Sequence, residues 1–403
     1  MLQHNRHLVI DGKDEVHYGQ DPICCPRAVV LHSRGWPVTR RVADPRDALS
    51  RRRPSGIVAI PESNLDILRS FAVLCVASAH LYLAIRGERV SGATWSIVND
   101  FGRFGVLIFF VHTTLVLMLS MERMRDTGIS LVCRFYVRRA FRIYPLSILL
   151  CVLVSLFAIP RSVTPAFVWS PRIFASNVLL VQNITHDPPL NVVLWSLPYE
   201  VQMYLVLPFV FMALRRKHWA AILFVFFVVG AVGGYRFTLL EFVPCFLAGA
   251  HAWKVSRLVR PLFSWEPWPL LLCLFLAMYC FYQPGGNSRQ KEWLTCIALG
   301  VSIPLFAECG STAIAAAAKT VARYSYGIYL FHLPLMWIFY RKLASFPWVW
   351  RNLGFGLAMF VVPALCYRVV EAPLIGVGIR ISKRLFQGGR TTANRPLARG
   401  TTA

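Results

Sequence analysis

From residue 65 onward the chain alternates between nearly continuous apolar runs and short polar stretches. The runs cover approximately 65–85, 104–121, 143–159, 192–213, 219–235, 237–253, 268–283, 293–310, 322–340 and 349–370. An α-helix rises about 1.5 Å per residue, so about 20 apolar residues cross the roughly 30 Å of a bilayer's hydrocarbon. The pattern predicts an all-α fold, a polytopic membrane bundle of about ten transmembrane helices. The third, fifth and eighth runs are short for a full crossing. Pro198, Pro208, Pro244, Pro304, Pro334 and Pro363 fall within runs; bundled membrane helices accept proline because neighbours satisfy the freed carbonyl.

This alternation divides the chain into three parts. Residues 1–62 mix Asp, Glu, Arg, Pro and Gly without helical or alternating period and lack a basic-then-apolar leader. They are read either as a disordered extension or as the product of a start codon placed too far upstream. Residues 63–375 form the transmembrane domain, and 376–403 a basic cytoplasmic tail.

Composition agrees with a lipid solvent. Of 403 residues, 56% are hydrophobic and only 15% charged, against roughly 25% charged in soluble domains; the mean hydropathy is +0.52. The formal net charge is +24, but the cations lie in short clusters between apolar runs, which argues against nucleic-acid binding. The clusters Arg123–Arg142, Arg215–Lys217, Lys254–Arg260 and Arg380–Arg384 fall on one face when ten spans are counted. Cytoplasmic loops carry such an excess of Lys and Arg, so that face and both termini are expected in the cytoplasm. Arg341, Lys342 and Arg351 are exceptions on the outer side. The eleven Cys show no CxxC pair and no zinc spacing, so neither a metal site nor a disulfide framework is expected.

Ionisable groups within a span are costly and are candidates for function. Arg69 and His80 stand eleven residues apart, about 16 Å along one helix face; a long substrate entering from inside suits that face, and a snorkelling Arg with a packing His is the structural alternative. Arg138, Arg139 and Arg142 form a cluster in which Arg139 and Arg142 face the same way. It either grips phosphates or simply sets topology. Trp195 and Ser196 precede Glu200, a carboxylate inside a span that needs a partner; His80, His112 and an Arg are the candidates. Ser325, Tyr329 and His332 share a helical stripe, where a lone His is more often packing than chemistry.

These stretches are similar, in order, to motifs of the acyltransferase-3 family of membrane acyltransferases. Leu65-Asp66-Ile-Leu-Arg69 with His80 resembles its opening "DGLR…H" pattern. Phe135 to Pro145 resembles "RRxxRIYP", Trp195-Ser196-Leu197 with Glu200 and Tyr204 resembles "WSLxxExxxY", Tyr324 to His332 resembles "SYxIYLxH", and Glu371-Ala372-Pro373 resembles "ExP". The chain departs from the family's second span, "GVDLFFVLSGFLI": Leu107 replaces the Asp, Thr113-Thr114 the Ser-Gly pair, and His112 is an added titratable group.

The resemblance implies an O-acyltransferase that takes an acyl group, acetyl in the first instance, from cytoplasmic acyl-CoA. The acceptor would be a hydroxyl of a cell-surface or lipid-linked glycan outside a bacterial inner membrane. It implies His80 as base or acyl carrier, Glu200 as its orienting carboxylate, and Arg69, Arg138, Arg139 and Arg142 as the CoA-binding cations. Trp195, Ser196, Tyr329, His332 and His112 are placed near the substrates. Acyl-CoA is the only co-substrate expected, without a metal; the partners are the glycan acceptor and membrane lipids, not nucleic acid. Intramembrane Arg, Glu and His also build transporters, so an exporter of glycan or lipid is the competing reading. A membrane-embedded interaction or sensory protein is a third, and it leaves the clustered ionisable groups unexplained.

Overall fold

The computed structural model describes residues 62–87, 90–124, 126–161, 169–282 and 288–387. Residues 1–61 of the expected extension and 388–403 of the expected tail lie outside the described residues. Thirteen α-helices follow one another: α1 Glu62–Arg86, α2 Gly92–Arg123, α3 Gly128–Leu156, α4 Pro171–Val178, α5 Gln182–Thr185, α6 Leu197–Leu214, α7 Trp219–Gly234, α8 Val243–Val255, α9 Pro267–Phe281, α10 Ser288–Ser302, α11 Thr312–Trp337, α12 Trp348–Cys366 and α13 Ala372–Gln387. Among the described residues there is no β-strand.

Each of the ten apolar runs falls on a helix, but only five helical stretches have both the length and the apolarity to cross a membrane. They are α1, α2, α3, Val192–Leu214 around α6, and Trp348–Leu385, which runs through α12 into α13. The α7 and α9 helices are apolar but shorter. Length and composition thus support five crossings among the described residues and do not confirm the expected count of about ten. The reason is visible in α11, which has the length but spends it on Lys319, Arg323, Ser325, Tyr329 and His332. The first part of the expected tail lies on α13, whose buried Gly378 and Ser382 are on the side facing α3.

The α2 helix is the axis of the bundle, with 78% of its most apolar window buried. It packs against α1, α8, α9 and α10, while α1 is held on its other side by α11. Close packing at the axis depends on glycine. A Cβ on Gly105 would stand 2.5 Å from the Ala72 carbonyl oxygen of α1, and one on Gly249 of α8 would stand 2.1 Å from that of Val111. Membrane helices associate through such small residues because lipid tails supply no hydrophobic drive. The parallel register of α1 and α11 is fixed by polar bonds, among them Ser70 Oγ to the Ala318 carbonyl at 2.8 Å. Four prolines sit where a missing N–H costs least, in the first turns of α4, α6, α8 and α9, while Pro145, Pro208, Pro334 and Pro363 lie inside helices.

Candidate active site

Five helices converge on an inner cavity of about 750 Å³, lined by Arg69 of α1, His112 and Thr113 of α2, Arg139 and Arg142 of α3, Ser196 just before α6, Glu200 and Tyr204 of α6, and Ser325 and Tyr329 of α11. Arg69 Nε donates to Ser325 Oγ at 2.6 Å, and that hydroxyl passes its proton to the Ala322 carbonyl at 2.8 Å. Arg142 is paired with the buried Glu371 and lies over the ring of Tyr326. Arg139 Nε is buried without a hydrogen-bond partner, and neither Arg69 nor Arg139 has a carboxylate at ion-pair distance among the described residues. Among the described residues Glu200 is the one carboxylate in the cavity wall set against Arg69, Arg139 and Arg142.

Glu200 is not bonded to any of the partners the sequence suggested. Its Oε1 accepts from the Tyr204 hydroxyl and from Thr113 Oγ1 at 3.2 Å. His112 lines the same cavity without bonding it, and His80 lies elsewhere. Thr113, at the position of the serine in the family's second-span motif, thus supplies a hydroxyl donor to Glu200. Glu200 is also the carboxylate whose charge acts most on Arg69 and Arg139, so it tempers the cationic cluster rather than orienting an imidazole.

A second cavity of about 510 Å³ surrounds His80, with Asn99 and Arg103 of α2, Val193, Trp195 and Tyr329 in its wall. His80 Nδ1 lies 3.0 Å from the Val76 carbonyl oxygen and 3.1 Å from His332 Nε2. Arg103 is bound through Nε to Glu292 of α10 at 2.8 Å, and its guanidinium covers the ring of Trp195 at 4.5 Å. Tyr329 separates this cavity from the inner one, and both share it as lining. Its hydroxyl donates to the Val193 carbonyl at 3.1 Å, so Ser196 Oγ, 2.7 Å away, is the donor to Tyr329.

Below the inner cavity a vestibule of about 1220 Å³ opens at the Glu62 end of α1, sharing Arg69, His112, Arg139 and Arg142 with it. Lys319 and Arg323, four residues apart on α11, line its mouth together with Arg123, which pairs with Glu62 at 2.9 Å. Three cavities thus follow one another along the bundle, from a cationic mouth to His80.

Most of the residues singled out from the sequence line this series: Arg69, Arg139, Arg142, His112, Ser196, Glu200, Tyr329, Trp195 and His80. Two do not. Arg138 turns away and donates through Nε to Ser382 Oγ at 3.2 Å, because successive residues on a helix point about 100° apart and Arg139 holds the inward position. His332 is fully buried and reaches His80 rather than any of the three cavities. Arg103, Lys319 and Arg323 escaped the sequence reading. The four-residue spacing of Lys319 and Arg323, just before the Tyr324–His332 motif, was the available signal; Arg103 gave none, since its partner Glu292 is distant in the chain. Among the described residues no three His, Cys, Asp or Glu side chains gather as a metal site.

Comparison with known proteins agrees with the motifs. Residues 62–368 match the acyltransferase domain that defines the acyltransferase-3 family, a stretch that includes every residue lining the His80 and inner cavities. Comparisons with curated proteins and with solved structures give no match. The chain belongs to the acyltransferase-3 family, and is an acyltransferase carried by helices of membrane-crossing length.

Proposed function

We propose that the protein moves an acetyl group from cytoplasmic acetyl-CoA to a hydroxyl of a cell-surface or lipid-linked glycan on the far side of a bacterial inner membrane. The observation that carries this reading is the succession of cavities from a cationic vestibule to His80. The Glu62 end is the cytoplasmic one, since Arg123, Lys319 and Arg323 gather there. The phosphates of CoA are held by Lys319 and Arg323 at the mouth and by Arg69 and Arg139 deeper in, where Arg side chains match phosphate geometry. The extended arm of the donor then runs past Glu200 and Tyr204 toward Tyr329. Its thioester meets the acceptor in the cavity of His80 and Trp195.

A neutral imidazole offers a lone pair that can take up and return a proton, which suits His80, in the cavity wall, as general base. The acceptor O–H gives its proton to His80 Nε2, and its oxygen attacks the thioester carbonyl. The new C–O bond forms as the C–S bond breaks. The thiolate leaves and recovers the proton from His80 Nε2, so the products are an O-acetyl ester and free CoA.

Membranes bearing the wild-type protein or His80→Ala, given labelled acetyl-CoA and native acceptor, test this reading. Label in an alkali-labile glycan fraction with stoichiometric release of CoA thiol is expected from wild type alone. Glycan export without thiol release would return the exporter reading, and transfer by His80→Ala at the wild-type rate would remove His80 from the mechanism.

A further inference from the structure

We propose that His332 is a positioning residue that, together with the Val76 carbonyl, holds His80 in the tautomer with its proton on Nδ1, so that Nε2 is the bare atom offered to the acceptor hydroxyl. The inference rests on the reading of His80 as the base. It follows from counting protons on four nitrogens. A backbone carbonyl only accepts, so a ring nitrogen facing one must carry hydrogen. His332 Nδ1 lies 3.1 Å from the Ile328 carbonyl oxygen, and His80 Nδ1 lies 3.0 Å from that of Val76. Both Nδ1 atoms are therefore protonated. A neutral imidazole has one N–H, which leaves His332 Nε2 with a free lone pair. That lone pair stands 3.1 Å from His80 Nδ1, whose single hydrogen is shared between it and the Val76 carbonyl.

Every contact of the pair is satisfied with both rings neutral. Neither ring has a carboxylate at ion-pair distance among the described residues. A neutral pair can stay buried without the desolvation cost of an ion pair. By elimination both Nε2 atoms are unprotonated; that of His332 is engaged by His80 Nδ1, which leaves His80 Nε2 as the available one, on a residue that lines the cavity with Asn99, Arg103 and Trp195.

His332 contributes again during the reaction. When His80 Nε2 takes the acceptor's proton, the ring becomes an imidazolium whose Nδ1–H already points at the lone pair of His332. The charge is met by an acceptor that is in place beforehand and that asks for no movement of the helices. This is the place a carboxylate holds in other acid–base sites, and Glu200 does not occupy it here. Because α1 and α11 carry one histidine each, the tautomer is set by the packing of two helices rather than by a local turn.

Two variants and one spectroscopic measurement test the proposal on the full chain. With His332→Ala, initial rates at varied acetyl-CoA are expected to show kcat lower by about one to two orders of magnitude, with donor KM changed by less than about twofold. His332→Gln, whose amide oxygen can stand where Nε2 stood, should recover most of that loss. Equal rates from the two variants at equal insertion would mean that the ring only fills space and would overturn the proposal. Independently of activity, the protein labelled with ¹⁵N-histidine and placed in lipid nanodiscs reports the tautomer directly, with the His80 signals identified by their loss in His80→Gln. The expected result is a proton on Nδ1 and a bare Nε2 in wild type, with the Nδ1–H resonance shifted in His332→Ala, where the Val76 carbonyl is left as its acceptor. A proton on Nε2 of His80 in wild type would overturn the inference whatever the enzyme does. Absence of acetyl transfer by wild type would instead count against the function, leaving the tautomer to be judged by its own spectrum.

Discussion

On α3 the guanidinium of Arg139 faces the inner cavity while that of Arg138, one residue earlier, is tied to Ser382. The two substitutions to alanine should therefore separate. A charge-assisted hydrogen bond is worth about 1.5–3 kcal/mol, so Arg139→Ala should raise the donor KM by about tenfold or more. Arg138→Ala should leave it within about twofold, and steady-state kinetics with acetyl-CoA read both. Arg142 differs again because Glu371 already compensates it. Removing one partner of a fully buried pair costs about 3–5 kcal/mol. The Arg142 side chain keeps 20% exposure, so Glu371→Leu should cost about 2–3 kcal/mol. Thermal unfolding in detergent should show the double variant Arg142→Leu/Glu371→Leu to be more stable than Glu371→Leu alone. The roles of these residues were only half legible in the sequence. Spacing revealed which arginines share a face, but the partner of Arg142 lies 229 residues away, and no local pattern announces it.

At the scale of helices, the apolar runs located ten of the thirteen elements among the described residues, missing α4, α5 and α13, and set some beginnings too late. The α2 helix starts at Gly92 and α10 at Ser288, well before the apolar runs at 104 and 293. The two errors have one cause. Asp100 bonds to Lys291 at 2.7 Å and Arg103 to Glu292 at 2.8 Å, so a layer of ion pairs joins the polar ends of both helices and disguises them as loop. The early turns of α3 were hidden in the same way, with Arg134 paired to Asp126 and Arg142 to Glu371. Helix contacts at glycine make the converse point, since a backbone approach leaves no mark in hydropathy. Gly249→Val would drive a side chain into the Val111 carbonyl of α2, and the level of folded, membrane-inserted protein is expected to fall sharply, as fluorescence-detected gel filtration would show. The α11 helix offers a kinetic test. Lys319→Ala/Arg323→Ala should weaken acetyl-CoA several-fold, while 3′-dephosphorylated acetyl-CoA should lose less if these cations hold the 3′-phosphate.

For the molecule as a whole, Arg123, Lys319 and Arg323 gather at the vestibule mouth where the donor would enter. Exposed charges are screened beyond about 10 Å at 0.1 M salt, so the donor KM should rise with ionic strength, and the rise should be smaller in Lys319→Ala/Arg323→Ala. The family and the all-helical architecture were readable because apolar runs and ordered motifs are local properties. The order of the cavities was not, because it depends on which helices lie beside α2.

Tyr329 stands between the vestibule side and the His80 side, closed by its bonds to Val193 and Ser196. On the proposed function the two cavities face opposite compartments, so the enzyme must also be an electrical insulator, and Tyr329 with Val106, which line both cavities, is where that insulation rests. Tyr329→Ala should therefore harm the cell in a way no lost product explains: energised membranes carrying it should leak protons and lose their potential, reported by a voltage-sensitive dye, whereas His80→Ala membranes, equally inactive in transfer, should hold theirs.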